Sequence, residues 1–177
     1  RMRQPLAIIV MGVAGSGKTT LGEVLSKTLG ARYVEGDRLQ PPENVARMSS
    51  GLPLTDEHRK GWLDAVGTAL AAAIADGENA VAACSALKHA YRDRLRRLCP
   101  TAMFLYLDID PAAAATRVAA RRGHFMPASL VDSQFADLEP PTPDEAAVRL
   151  DARLPTDVLL KAALAALGGG KGGQEAR

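Results

Sequence analysis

Eight residues, Gly12-Val13-Ala14-Gly15-Ser16-Gly17-Lys18-Thr19, constrain this chain more than any other stretch. They lie between a continuous apolar run, Leu6-Ala7-Ile8-Ile9-Val10-Met11, and a segment in which Leu21, Val24, Leu25 and Leu29 recur at helical spacing up to Gly30. Unbroken apolar character over a strand's length suits a strand covered on both faces. Strand, glycine loop and helix are contiguous, the context in which the pattern Gly-x4-Gly-Lys-Ser/Thr serves as a phosphate-binding loop. Glycines let the backbone curl so that successive N–H groups face one concavity, and the start of the helix adds its positive end. Lys18 has the reach to neutralise the β- and γ-phosphates, and the Thr19 hydroxyl is placed to ligate Mg2+. A chance match somewhere in the chain is on the order of 1%. A dinucleotide-binding Gly-x-Gly-x-x-Gly reading fails: counted from Gly15 and Gly17 its third position is Thr20, and Lys18-Thr19 has no task in it.

Beyond the loop, β and α periods alternate. Tyr33-Val34-Glu35 predicts a second strand with Asp37 on the loop after it, and Pro41-Pro42 opens a helix near Glu43 to Met48. Thr55 or Asp56 caps a helix whose apolar stripe is Trp62, Leu63, Val66, Leu70 and Ile74. Ala80 to Cys84 and Met103 to Leu107 predict two more buried strands, separated by a helix from Tyr91 to Leu98. Pro111 starts a helix running to about Arg121, the segment from Arg122 to Pro127 interrupts it, and another helix follows from about Ser129 to Leu138. Ala147 to Leu150 is a weak final strand and Pro155 to Leu167 a closing helix. The expectation is an α/β chain: a three-layer P-loop NTPase fold with a parallel five-stranded sheet flanked by helices. Residues 1–167 read as one domain and 168–177 as a Gly-rich, disordered tail.

Composition narrows the partners. Lys+Arg 22 against Asp+Glu 20, mixed along the 177 residues, gives no broad field for nucleic acid or an anionic membrane, and 4% aromatics offer little for base stacking. No apolar run approaches the roughly 18 residues of a membrane-spanning helix, and the N-terminal order is not that of a signal peptide. A cytoplasmic location is therefore expected, with no nucleic-acid and no membrane partner. Cys84 and Cys99 show neither metal-ligand spacing nor a disulfide framework and read as reduced and structural.

Three classes compete for the phosphate loop. A GTPase is expected to carry Asn-Lys-x-Asp, and neither Asn44 nor Asn79 precedes a lysine. A mechanical ATPase places an acid after an apolar strand, but Leu105-Tyr106-Leu107-Asp108 lacks the Asp-Glu pair and Asp108 reads as a strand end. A small-molecule kinase remains, which needs an acceptor pocket, a group to orient the acceptor hydroxyl, and a basic cover that excludes water. Asp37 follows the second strand at the carboxyl edge, where open α/β sheets bind ligands. Arg117 and Arg121, four apart, share a helical face suited to gripping phosphates, with Arg122 just beyond. Ser85, Lys88, Tyr91 and Arg92 follow the third strand and bring donors to the same edge. The blander readings are a turn acid for Asp37 and a solvated basic face for the arginines.

Met11 to Thr19, Glu35-Gly36-Asp37, Pro41, Asn44, Met48, Gly51-Leu52-Pro53-Leu54-Thr55-Asp56 and Trp62-Leu63 together resemble gluconate kinase (gluconokinase) of the P-loop type, related to shikimate and adenylate kinases. Cys84-Ser85-Ala86-Leu87-Lys88, Tyr91-Arg92-Asp93, Gly123-His124-Phe125, Ser133-Gln134-Phe135 and Leu138-Glu139 extend the resemblance to about residue 141. It implies a lid at about residues 121–138, a homodimer, and ATP- and Mg2+-dependent phosphorylation of D-gluconate at its 6-hydroxyl. ATP then falls to Gly12, Val13, Ala14, Gly15, Ser16, Gly17, Lys18, Thr19 and Thr20, with Arg117 and Arg121. Gluconate falls to Asp37, Arg47, Lys88, Arg92, His124 and Gln134. Lys18, Asp37 and Arg121 would carry catalysis, and Mg2+ would bind Thr19, with Asp37 reaching it through water. Two residues depart from the family pattern: Glu35 stands where Asp is usual, one methylene longer, and Gln40 where His commonly precedes Pro41. Activity is expected to survive both. Two other readings are a kinase for another small hydroxy acid such as shikimate, and a non-catalytic nucleotide-binding protein.

Overall fold

The computed structural model describes residues 4–121 and 127–172, with backbone alone at 169–172. Strand β1 (Ala7–Met11) is buried along its whole length. Successive side chains of a strand point to opposite faces, so Ala7, Ile9 and Met11 enter one apolar layer and Ile8 and Val10 the other. Around it lie β2 (Arg32–Glu35), β3 (Ala80–Ala83), β4 (Met103–Asp108) and β5 (Ala147–Asp151), in the order β2-β3-β1-β4-β5. Every pairing is parallel, with Val10 opposite Ala83 on one side and Leu105 on the other.

Helices α3 (Asp56–Ala75) and α4 (His89–Leu98) cover the Ile9 face through Trp62, Leu63, Val66, Leu70, Tyr91 and Leu95. Helices α1 (Lys18–Leu29), α5 (Pro111–Ala120), α6 (Ala128–Asp137) and α7 (Thr156–Gly172) cover the Ile8 face through Leu21, Leu25, Val118, Val131 and Leu159. The short α2 (Pro42–Ser49) completes the set. This is the expected three-layer α/β arrangement. Because all strands run the same way, the loops leaving their carboxyl ends share one edge, which therefore holds the phosphate loop, Asp37 and Ser85 to Lys88.

Local chemistry explains the boundaries. Thr55 caps α3: its Oγ1 accepts from His58 N at 3.3 Å while Thr55 N donates to His58 Nδ1 at 3.0 Å. Asp37 sits in a single 3-10 turn, Gly36–Leu39. Asp108 ends β4 and pairs with Arg149 of β5 at 2.5 Å, which agrees with its reading as a strand end. The boundary farthest from the sequence reading is the last one. The closing helix continues past Leu167 to Gly172. Glycine costs a helix interior roughly 1 kcal/mol against alanine, so propensity alone stops it where the glycines begin. Residues 173–177 of the expected tail lie outside the described residues.

Candidate active site

The loop from Gly12 to Thr19 folds tightly on itself before α1. Ser16 N and Oγ donate to Val13 O at 3.2 and 2.7 Å, and Lys18 Nζ donates to the same oxygen at 3.0 Å. Gly15 has φ 82°, and a Cβ there would lie 2.7 Å from Ala114 O. The position requires glycine twice over, for its left-handed backbone and for the close approach of α5. Burial lowers the pKa of Lys18; the Asp37, Cys84 and Glu35 groups oppose that shift and Arg121 adds to it. Burial pushes the Cys84 thiol up to about 12, so it is a neutral wall of the site, as expected of a reduced structural cysteine. Cys99 is likewise buried and free.

Thr19 Oγ1 donates to Glu35 Oε2 at 2.8 Å, which places a hydroxyl and a carboxylate together at the start of α1. Such hard oxygen donors fit Mg2+, which keeps most of its water and takes few protein ligands when phosphates supply the rest. Among the described residues no group of three or more His, Cys, Asp or Glu forms a cage for a resident metal. The structure thus puts Glu35, the first acid of Glu35-Gly36-Asp37, against Thr19.

On the outer side of the loop, Arg117 Nη1 lies 3.4 and 3.5 Å from the carbonyl oxygens of Gly15 and Ser16, and Nη2 donates to Ala152 O at 2.7 Å. A cavity of about 250 Å³ opens here, lined by Gly15, Ser16, Gly17, Thr20, Leu21, Arg117, Arg121, Ala152, Leu154, Thr156 and Leu159. Arg121 is exposed at the end of α5. Thr20, Arg117 and Arg121 thus line one cavity.

The acceptor candidates fare less evenly. Arg92 is fully buried and every N–H is used: Nε and Nη2 bond Glu145, Nη1 bonds the carbonyls of Ala86 and Leu87, and Nη2 also bonds Glu139 O, all at 2.7 to 3.1 Å. It has no donor left for a ligand, so its assignment to gluconate is corrected: it braces the loop after β3, where Ala86 holds φ 45°. Gln134 is also relocated. Its Oε1 accepts from Ala14 N at 2.7 Å, on the phosphate loop itself. Lys88 pairs with Asp56 at 2.9 Å and lies 5.7 Å from the Tyr91 ring centroid. Hydrogen bonds from Tyr91 and Lys88 lower the Asp56 pKa. Arg47 donates Nε to Pro53 O at 2.8 Å. His124 lies outside the described residues. Gln40, the second departure, accepts from Asn44 Nδ2 at 2.9 Å and helps hold that buried amide, which also donates to His58 O at 2.8 Å.

Sequence reasoning missed Arg59, buried on α3, which donates Nη1 to the Tyr91 hydroxyl at 2.7 Å and to Asp137 at 3.0 Å. Its only signal was a charged residue three positions before Trp62, on the buried stripe. Tyr91 completes the network by donating its hydroxyl to Asp56. The network ties α3, α4 and α6 together beside the loop after β3.

Comparison with known proteins agrees with this arrangement. The AAA domain family matches residues 8–141. A gluconokinase of Gluconobacter oxydans is 44% identical over 158 residues, covering 89% of both chains. The crystal structure of a gluconokinase from Sinorhizobium meliloti 1021 superposes with TM-score 0.86 at 41% identity, covering 98% of this chain and 97% of that one. An unliganded sugar kinase from a Janibacter species gives TM-score 0.88 at 43% identity, covering 92% and 94%. With a phosphate loop, a carboxylate-bearing turn and a full-length match of this kind, the chain belongs to the gluconokinase family of P-loop kinases.

Proposed function

We propose that this protein transfers the γ-phosphoryl group of ATP to the 6-hydroxyl of D-gluconate, giving 6-phospho-D-gluconate and ADP. The observation that carries the reading is the phosphate loop, with Lys18 Nζ held at Val13 O and the Thr19 hydroxyl against Glu35 at the start of α1. The names of the relatives supply the acceptor. The phosphates of ATP lie in the Gly12–Thr20 cradle, and its nucleoside takes the cavity beside Arg117 and Leu154. A magnesium ion bound with ATP would neutralise charge on the phosphoryl groups. Thr19 and Glu35 are the residues to hold it. Asp37 orients the 6-hydroxyl and accepts its proton as the new O–P bond forms and the β–γ bridging bond breaks. Because such a transition state is loose, positioning and charge carry most of the effect, with Lys18 and the arginines spreading charge over the moving group.

Arg47, Lys88 and His124 remain the proposed grips on the gluconate carboxylate and hydroxyls. A single domain, a lid over about 121–138, a homodimer and a cytoplasmic site of action complete the proposal. No helix among the described residues is long and apolar enough to cross a membrane. The test is ADP release with Mg-ATP across D-gluconate, other aldonates, shikimate and nucleoside monophosphates, with products identified by mass. Turnover confined to gluconate with a phosphogluconate product supports the reading. Turnover with another acceptor overturns the acceptor assignment, and ATP binding with no turnover overturns the kinase.

A further inference from the structure

Glu35 carries one methylene more than an aspartate would, and a longer side chain has one more torsion to fix before its carboxylate has a defined place. Two hydroxyls fix it. Glu35 Oε2 accepts from Thr19 Oγ1 at 2.8 Å and from the Tyr33 hydroxyl at 2.6 Å. Tyr33 and Glu35 are two apart on β2 and so project from the same face of the strand. The Tyr33 ring lies directly over α1 at Gly22. A Cβ on Gly22 would come 2.9 Å from Tyr33 Cε1 and 3.6 Å from its hydroxyl oxygen. Glycine in a helix interior carries a propensity cost, and here its lack of a side chain lets the ring lie against α1. Among the described residues no donor reaches Glu35 Oε1, so that oxygen is left for water or a cation.

We infer that Tyr33 is a positioning residue for the divalent cation brought in with ATP: through Glu35 it orients the Thr19 hydroxyl and presents Oε1 outward. The inference rests on the proposed Mg-ATP reading of this site. It assigns Tyr33 no contact with substrate. Its task is to make a glutamate serve where the added methylene would otherwise let the carboxylate wander, and Gly22 makes that reach possible.

The test is calorimetric titration of ATP into the full chain, once in EDTA and once across a Mg2+ series, for wild type, Tyr33→Phe, Gly22→Ala and Glu35→Asp. Tyr33→Phe keeps the ring and removes only the donor. Its ATP affinity in EDTA is expected to match wild type, while the Mg2+ concentration needed for half of the metal-dependent gain rises on the order of tenfold, the size seen when a partner of a metal-holding group is lost. Gly22→Ala displaces the ring and is expected to shift the Mg2+ midpoint in the same direction. In the Glu35→Asp background the shorter acid no longer meets the tyrosyl hydroxyl, so adding Tyr33→Phe changes nothing further. An unmoved Mg2+ midpoint in Tyr33→Phe overturns the inference, and so does an equal loss of affinity with and without Mg2+, which marks a general role in loop packing. If wild type itself gains no ATP affinity from Mg2+, the underlying reading of the site falls and the inference with it.

Discussion

The two flanks of the carboxyl edge use their cations differently. On the nucleotide flank, Lys18 and Arg117 bond only to backbone carbonyls among the described residues: Val13 O for the first, and Gly15, Ser16 and Ala152 O for the second. On the acceptor flank Arg47 likewise bonds a carbonyl, Pro53 O, whereas four other cations have carboxylates. Lys88 pairs with Asp56, Arg59 with Asp137, and Arg92 and Arg96 share Glu145. A neutral carbonyl leaves most of a cation's field available to an anion, whereas a carboxylate cancels it. The nucleotide flank is thus a positive site waiting for phosphates. On the acceptor flank the paired charges tie α3, α4 and α6 together, and that is why a basic residue in a matching motif, such as Arg92, need not be a ligand.

The sharpest break between the flanks comes from removing one cation on each. Lys18→Met should lower kcat on the order of 10³-fold with an unchanged melting temperature, checked by ADP release and calorimetry. Arg92→Met should do the reverse, costing about 3 to 5 kcal/mol of stability because Glu145 stays buried without the guanidinium that gives two of its hydrogen bonds. The double variant Arg92→Met/Glu145→Leu should recover much of that loss, since a well-packed apolar pair replaces a buried ionic one. A ligand role for Arg92 would instead show as a raised KM for gluconate with normal stability. Asp37→Asn should cut turnover by about 10² to 10⁴-fold while ATP affinity persists, which calorimetric titration separates from turnover.

Glu145 sharpens the contrast through pH. Burial pushes its carboxyl up, but hydrogen bonds from Arg92 and Arg96 outweigh that and hold it well below the ordinary carboxylate value of 4.5. A carboxyl depressed by folding binds fewer protons in the native than in the unfolded chain across that interval. Its stabilisation is therefore complete above about pH 4.5 and is lost as pH falls toward the folded value, at up to about 1.4 kcal/mol per pH unit. Urea midpoints from pH 7 to pH 3 should decline less steeply in Glu145→Gln than in wild type. Smaller again, Arg117→Met should raise the KM for ATP roughly tenfold. Lys88→Met should change stability by less than about 1 kcal/mol, because its partner Asp56 is solvent-exposed. A larger loss there would place Lys88 among the structural cations.

The phosphate loop was legible from sequence because its chemistry is local: eight consecutive residues supply the glycines, the lysine and the helix start, and the flanking runs announce strand and helix. The sheet was legible for a related reason, since a strand buried on both faces reads as an unbroken apolar run such as Ile8-Ile9-Val10. The acceptor flank was not, because its partners are far apart in the chain. Arg92 meets Glu145 across 53 positions and Arg59 meets Asp137 across 78, and no spacing rule reports such pairs. Gln134 reaches Ala14 across 120 positions, so its motif could be recognised while its contact could not. Sequence alone determined the alternation of strand and helix, the phosphate cradle and the carboxyl edge on which Asp37 falls. Tertiary structure alone decided which cations keep their charge for a ligand and which are cancelled within the protein, because that depends on a carboxylate's distance in space, and folding sets that distance independently of position along the chain.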